Sequence, residues 1–287
     1  MKRRLAWALL MGSTISLVVC DPSAAETESV RALLQTARAQ AKQGNHSQAA
    51  EILDKAKMLA PNSEDVLSDF AKNSLLAGDP VGAINVLEPL TRMHPKVAEY
   101  PYLLGVAQLQ IKEFAPSVDS LEQSLELEPQ RALTLIALGI TLISQKRFDE
   151  AKQALDRALE IEPENAEALA VAAEAAEGLG ELELAETQAN RVLALVGGHA
   201  GASYVLGRVR MQQGQFAEAV EWFQKVLQLA PNSPRTYYQL SLAYARLGDL
   251  EKSREYRELH QASRSQEVED IEKMRLRAGL KQGGMRP

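Results

Sequence analysis

The residues most able to do chemistry are four histidines, which are scattered along the chain. Imidazole nitrogens can ligate a metal or act as general bases, but both roles need partner groups held close by. The motifs that commonly supply such partners, HExxH, GxSxG, GxGxxG and the P-loop, do not occur in the sequence. The sequence therefore predicts no catalytic residue, no metal site and no cofactor. The histidines are His46, His94, His199 and His260.

Acidic side chains are plentiful, and pairs such as Glu160 and Glu164 fall on one side of a predicted helix. Carboxylates on exposed helices are normally solvated, so such pairs indicate a surface that faces water rather than a general acid and base. The chain has 32 Lys and Arg against 38 Asp and Glu, a net charge of -6. It lacks the basic surplus that neutralises a phosphate backbone, and we expect no nucleic-acid partner.

Residues 1–25 have the layout of a signal peptide. Basic residues at positions 2–4 precede an apolar stretch that is too short to span a bilayer comfortably. The small residues Ser23 and Ala25 suit cleavage after Ala25. We expect an exported protein, located in the periplasm or outside the cell.

The single cysteine gives a second interpretation of the same segment. The run Leu17-Val18-Val19-Cys20 resembles a bacterial lipoprotein box, in which the cysteine becomes the lipidated first residue. Val19 departs from that pattern, which has Gly, Ala or Ser before the cysteine. Soluble export and a lipid anchor at Cys20 both remain open, and membrane contact is expected only through that lipid or through a partner. A lone cysteine also excludes an intrachain disulfide.

The elements that must position any binding residues are set by a period of 34 residues without insertions. Repeats start at residues 30, 64, 98, 132, 166, 200 and 234. Position 20 of every repeat is small, and position 32 is proline in five of the seven repeats. Position 8 is also small throughout, as Ala37, Ala71, Gly105, Gly139, Ala173, Gly207 and Ser241 show.

This pattern predicts two antiparallel helices in each repeat. Small residues at positions 8 and 20 allow the paired helices to approach closely, while Leu or Phe at positions 7, 17 and 24 fills the space beside them. Glycine at position 15 ends the first helix, and proline at position 32 ends the second. Helices of about 14 residues are marginal alone, so the fold must be stabilised by stacked neighbours. We predict an all-α superhelical solenoid of about seven repeats over residues 30–265.

The fourth repeat is the clearest copy of the pattern. Its signature residues are Leu135, Leu138, Gly139, Leu142, Phe148, Ala151, Leu155, Ala158 and Pro163. With these residues the repeat closely resembles the tetratricopeptide repeat (TPR) family. The resemblance implies a right-handed solenoid whose first helices line a concave groove that holds peptides or other proteins.

In this family, positions 2, 5, 6, 9, 12 and 13 of each first helix point into the groove. Here two apolar or aromatic groups occupy them, and contiguous exposed apolar surface usually marks an interaction site. Repeats three and four supply Tyr102, Leu103, Val106, Leu109, Leu133, Ile136, Ile140 and Ile143. Repeats six and seven supply Tyr204, Val205, Arg208, Met211, Arg235, Tyr238, Leu242 and Arg246. The alternative is that these side chains belong to the core and tighten the superhelix.

Two segments depart from the regular repeat. Repeat five has alanines where its neighbours have bulkier residues, and Gly197-Gly198 replaces the terminating proline, which suggests a flexible joint. Residues 266–287 follow the array. Val268, Ile271 and Met274 are spaced as on a capping helix, and the basic residues after Gly279 are expected to form a mobile tail.

These features predict a non-catalytic scaffold or adaptor of the bacterial cell envelope that holds an amphipathic helix or apolar peptide in the concave groove. The alternative is a structural protein that self-associates into homo-oligomers within a secretion, pilus or polysaccharide-export assembly. The partner in either case is a protein or peptide.

Overall fold

The computed structural model describes residues 22–277, so Cys20, most of the predicted signal peptide and the tail after Gly279 lie outside the described residues. Within this range the chain forms fourteen helices and no strand, and consecutive helices pack against each other. The helices are α1 (Pro22–Lys42), α2 (His46–Leu59), α3 (Glu64–Leu76), α4 (Pro80–Met93), α5 (Glu99–Gln110), α6 (Phe114–Leu127), α7 (Ala132–Ser144), α8 (Phe148–Ile161), α9 (Ala166–Leu179), α10 (Leu182–Val196), α11 (Ala200–Gln212), α12 (Phe216–Leu229), α13 (Pro234–Leu247) and α14 (Leu250–Arg277).

The odd-numbered helices are the first helices of the repeats, and the even-numbered helices are the second. The second helix of each repeat begins 34 residues after the second helix of the preceding repeat, from His46 in repeat one to Leu250 in repeat seven. The period in the sequence is therefore the period of the fold, and the predicted all-α superhelical solenoid is confirmed.

The small residues at position 8 are required by the contact between paired helices. A Cβ atom built on Gly139 would lie 2.8 Å from Leu155 Cγ, and one on Gly207 would lie 2.5 Å from Phe223 Cε1. In repeat three the residue at position 20 also hydrogen-bonds across the helix pair, because the Ser117 hydroxyl donates to the Gly105 carbonyl oxygen at 2.8 Å. In repeat seven the Ser253 hydroxyl donates the equivalent hydrogen bond to the Ser241 carbonyl oxygen at 2.9 Å.

The turn between paired helices requires a left-handed residue at position 15. Glycine provides it in five repeats, for example Gly180 at φ 80° and Gly248 at φ 82°. Lys112 and Lys146 take the same conformation in repeats three and four, at φ 59° and 62°. A Cβ atom disfavours this region, so these two turns are conformationally costlier than the glycine turns.

Repeat five is packed differently from the loose joint that its alanines suggested. Nine of the 14 residues of α9 are buried, because alanines allow the neighbouring first helices α7 and α11 to contact α9 directly. At the end of α10, Gly197 adopts φ 75° and ψ -68°.

The end of the array also differs from the sequence interpretation. No break separates repeat seven from the predicted capping helix, since α14 continues for 28 residues from Leu250 to Arg277. The segment contains no glycine or proline that could stop it. Its last turns contact α4, near the opposite end of the chain.

Candidate functional site

Nine of the predicted groove residues lie on the first helices of repeats four to seven and are exposed or half-buried. On α7, Leu133 is 55% exposed, and Ile140 and Ile143 are half-buried. On α13, Tyr238 and Leu242 are exposed, while Met211 on α11 is half-buried against the neighbouring core. These side chains leave apolar surface open to solvent.

Three predicted groove residues are instead core residues, so the expectation that they lie free on the surface is wrong. Ile136 is 5% exposed and packs in a cluster with Val171, while Val205 is 1% exposed and packs in a cluster with Leu169. Tyr204 is buried against Phe223, with ring centroids 5.7 Å apart. For Ile136 and Val205 the cause is the small side chains of α9, which let the adjacent first helices close over these positions. Tyr204 is instead buried in the cluster of repeats six and seven, with Leu240 and Tyr244 of α13.

The four predicted residues of repeat three are half-buried. The guanidinium carbon of Arg131 lies 4.9 Å from the centroid of the Tyr102 ring. Burial raises the pKa of the Tyr102 hydroxyl. Val106 packs against the core cluster of repeats three to five, whereas Leu103 packs against that of repeats one to three. Leu109 completes the set on the same helix. This helix therefore links two core clusters and presents only part of its apolar area to the groove.

A cleft lies over repeat five and is here called the repeat-5 cleft. It consists of two adjoining depressions of about 320 and 690 Å³ that share Ile143, Ser144 and Glu174. Ala170 and Gly178 of α9 line the two depressions, and Phe148 packs so closely on Gly178 that an added Cβ would lie 2.5 Å from its ring. The other lining residues are Ile140, Lys146, Phe148, Glu167, Val171, Glu177, Leu179, Gly180, His199, Gly201, Tyr204, Arg208, Gln212 and Arg235.

A buried carboxylate anchors one wall of the repeat-5 cleft. Glu177 is 7% exposed and accepts hydrogen bonds from Arg208 Nε at 3.0 Å and Arg208 Nη2 at 2.7 Å, and a further bond from the Gln212 amide. Burial by itself disfavours the charged guanidinium, but the hydrogen bonds and charge of Glu177 outweigh it and raise the pKa of Arg208. Arg208 is thus held by the fold.

A second arginine crosses the cleft from repeat seven to repeat five. Arg235 Nη1 lies 2.8 Å from Glu174 Oε1, and its guanidinium carbon lies 4.1 Å from the centroid of the Tyr204 ring. Burial raises the pKa of Tyr204, and Arg235 opposes that shift. Arg246, the third predicted arginine, is exposed. Two of the three cations that sequence reasoning placed in the groove therefore already have partners within the chain.

Sequence reasoning missed the acidic residues of this cleft. Glu167, Glu174 and Glu177 occupy positions 2, 9 and 12 of repeat five, the same groove positions that were inspected in the flanking repeats. His199 also lines the cleft, with its Nε2 3.3 Å from Glu167 Oε2. The sequence does contain a signal for these residues. The groove positions of repeat five are acidic, whereas those of repeat four are apolar and those of repeats six and seven include arginines.

The arrangement is suited to binding. Isoleucines on one wall offer apolar contact, while carboxylates and arginines on the others offer hydrogen bonds and charge. Within residues 22–277, no group of three His, Cys, Asp or Glu side chains could hold a metal ion. In the same range, no helix combines the length and apolar character needed to cross a membrane.

Three family models match the chain. A TPR repeat model matches residues 207–248, and two tetratricopeptide repeat models match residues 142–209 and 31–63. The chain is a tetratricopeptide repeat protein. TPR proteins bind protein partners, and their fold is typically a non-catalytic scaffold.

Solved structures share the architecture of this TPR protein at low sequence identity. A tetratricopeptide repeat protein from Parabacteroides merdae is 14% identical with a TM-score of 0.69, over 87% of this chain and 99% of that one. PilW, a widely conserved type IV pilus biogenesis factor, is 21% identical with a TM-score of 0.58, over 72% and 97%. The APC/C hetero-tetramer Cut9-Hcn1 is 17% identical with a TM-score of 0.62, over 86% and 49%. These likenesses show the fold alone. No curated protein sequence matches this TPR protein.

Proposed function

We propose that this TPR protein is a non-catalytic scaffold of the bacterial cell envelope that holds an apolar or amphipathic segment of a partner protein in its concave groove. The repeat-5 cleft is the main support, because it is concave, partly apolar and edged by charged side chains. Ile140 and Ile143 form its apolar wall and are only half-buried. An aliphatic side chain of the partner would bury against them.

The charged rim favours an amphipathic partner over a purely apolar one. Glu167 and Glu174 are partly exposed beside the isoleucines, and Lys146 is exposed at the far end of the cleft. A bound helix can therefore place an apolar stripe on α7 and polar side chains toward these groups. Because Arg208 and Arg235 are already paired, the apolar contacts must supply most of the affinity.

The envelope setting rests on the sequence of residues 1–25. A basic start, a short apolar stretch and small residues before position 26 support export, and Cys20 supports the lipid-anchored alternative. A pilus biogenesis factor with the same fold is compatible with this setting. Mass spectrometry of the mature N-terminus tests it, because cleavage after Ala25, lipidation of Cys20 and an intact Met1 give different masses.

A photo-cross-linking amino acid at position 143 tests the groove directly in the native host. We expect it to capture a partner protein, and we expect Ile140→Asp to lower the yield about tenfold, since a buried carboxylate opposes apolar burial. The melting temperature should change little, because Ile140 is half-buried. Met58→Asp is the matched control, because Met58 is 71% exposed on α2, far from the cleft in the chain.

The outcomes separate the possible functions. Equal cross-linking in the Ile140 and Met58 variants would contradict binding at the repeat-5 cleft. A product of twice the mass of the chain would identify a second copy as the occupant, which is the self-association alternative. Gly139→Leu serves as the folding reference. It should unfold the helix pair locally, because even a Cβ at this site would lie 2.8 Å from Leu155 Cγ.

A further inference from the structure

Among residues 22–277, the distal part of α14 makes the contact between repeats that spans the greatest distance along the chain, and the proposed groove function does not use it. Lys112 Nζ, at the turn between α5 and α6, lies 2.8 Å from Glu267 Oε1. Farther along α14, Ile271 is 8% exposed, and Met274 packs against the core cluster of repeats one to three. The end of repeat seven thus lies on repeats two and three.

Val81 in repeat two and Ile111 in repeat three are buried at positions that are exposed or half-buried in every other repeat. Val81, the second residue of α4, is 5% exposed, and Ile111, just after α5, is fully buried. Both belong to the cluster on which Met274 packs. The residues equivalent to Val81 in the other repeats are small or charged and all exposed: Ser47, Ala115, Asp149, Glu183, Ala217 and Glu251.

The position of Ile111 shows the same contrast. Its equivalents in the other six repeats are Gln43, Ala77, Gln145, Leu179, Gln213 and Leu247, and none of them is buried. Burial at these positions is therefore specific to repeats two and three. The distal part of α14 lies beside both side chains, because α14 contacts α4 and Glu267 pairs with Lys112, the residue after Ile111.

We propose that repeats two and three carry a docking site for an amphipathic helix at the edge of the superhelix, outside the concave groove, and that its occupant is the distal part of α14. Ile271 and Met274 are the apolar anchors, three residues apart on one face of the helix. The Lys112–Glu267 pair fixes the register, and it contributes little affinity because both side chains are partly exposed. The bound helix closes the array from repeat seven back to repeat two.

A matched pair of substitutions on α14 tests the proposal in the full chain. Ile271→Asp places a carboxylate in the buried contact, whereas Val268→Asp changes a side chain on the same helix that is 40% exposed. Hydrogen exchange should become about tenfold faster or more in residues 108–113 and 267–277 of the Ile271 variant, since a buried charge releases the contact. X-ray scattering should show a larger radius of gyration. The Val268 variant should match the unchanged protein in both measurements.

Equal behaviour of the two variants would overturn the proposal. A second test covers the case in which Ile271→Asp merely frays α14. With Cys20 replaced by Ser, cysteines at positions 112 and 267 should be joined by a short bis-maleimide within one chain at all protein concentrations. A cross-link that forms only between chains, and rises with concentration, would assign the site to a second copy and overturn the intramolecular assignment. Absence of any cross-link would also overturn it.

Discussion

Arg208 occupies a predicted groove position, but its main contacts stabilise the fold. Its guanidinium makes two hydrogen bonds to Glu177, a carboxylate that is almost completely buried. Removing the cation would leave that carboxylate with only the Gln212 amide as a charge-stabilising partner among its described contacts. A buried charge without its counterion is more costly than the pair is stabilising.

We therefore expect Arg208→Ala to lower the free energy of unfolding by about 2 kcal/mol, allowing for the partial exposure of Arg208. Adding Glu177→Gln should recover at least half of the loss, because the buried charge is then removed. Arg246→Ala is the matched control and should change stability by less than about 0.5 kcal/mol, since Arg246 is exposed. Chemical denaturation measures all three. Equal losses in the two arginine variants would show that the Glu177 contact does not stabilise the fold.

Tyr100 gives the molecule a dependence on alkaline pH. Burial, followed by the hydrogen bond that its hydroxyl donates to Glu64, raises its pKa well above the ordinary value. The folded state therefore holds this proton more tightly than the unfolded chain does. The resulting stability is fully present below a pH of about 10 and is lost as the pH rises from there toward the folded pKa.

The prediction concerns the slope of stability between pH 10 and 11. The unchanged protein should lose up to about 1.4 kcal/mol per pH unit more than Tyr100→Phe, because the variant has no proton to release at this site. Lysine titration is common to both proteins and cancels in the comparison. Parallel stability curves above pH 10 would contradict the assignment of this effect to Tyr100.

At the scale of the element, the end of α10 combines a glycine that is required with one that is not. Gly197 has φ 75° and ψ -68°, a backbone conformation that a side chain strains. Gly198 does not have a positive φ, and a Cβ added there would lie 3.5 Å from Leu229 Cδ2, an ordinary contact. Substitution of Gly198 is therefore a matched control for substitution of Gly197.

Gly197→Ala should lower the free energy of unfolding by about 1 to 3 kcal/mol, because alanine must adopt the strained conformation or distort the link to α11. Gly198→Ala should change it by less than about 0.5 kcal/mol. Thermal melting of the two variants is a sufficient measurement. A larger loss in the Gly198 variant would show that the geometry of this link is wrong.

The elements themselves could be predicted because each repeat contains its own signals. Gly139 and Leu155 meet within one repeat, so their spacing alone indicated the helix pair. The burial of Ile136 and Val205 could not be found in that way, because it depends on how closely α9 approaches helices of other repeats. The continuity of α14 was missed for a different reason, since the change of composition near residue 265 accompanies no residue that ends a helix.

At the scale of the whole molecule, the described residues make most of their contacts between neighbouring repeats, while the Arg235–Glu174 pair joins repeats seven and five and α14 joins repeat seven to repeats two and three. In an open solenoid each repeat touches only its neighbours, and opening at one end need not affect the other. Here the Lys112–Glu267 pair joins residues 155 positions apart in the chain. The repeat-5 cleft lies in the part of the array between the two repeats that this contact connects, so a change in closure alters the curvature of the wall that a partner would meet.

Repeat families diverge readily by gaining or losing whole units, because one more unit only lengthens the stack. The equal spacing of second helices from His46 to Leu250 makes each unit contribute a similar step of rotation and rise. In this molecule, inserting or deleting one such step would carry the last helix past Val81 and Ile111. We therefore expect the contact of α14 with repeats two and three to form only when the array has its present number of repeats. An open array has no such constraint on gaining or losing a repeat.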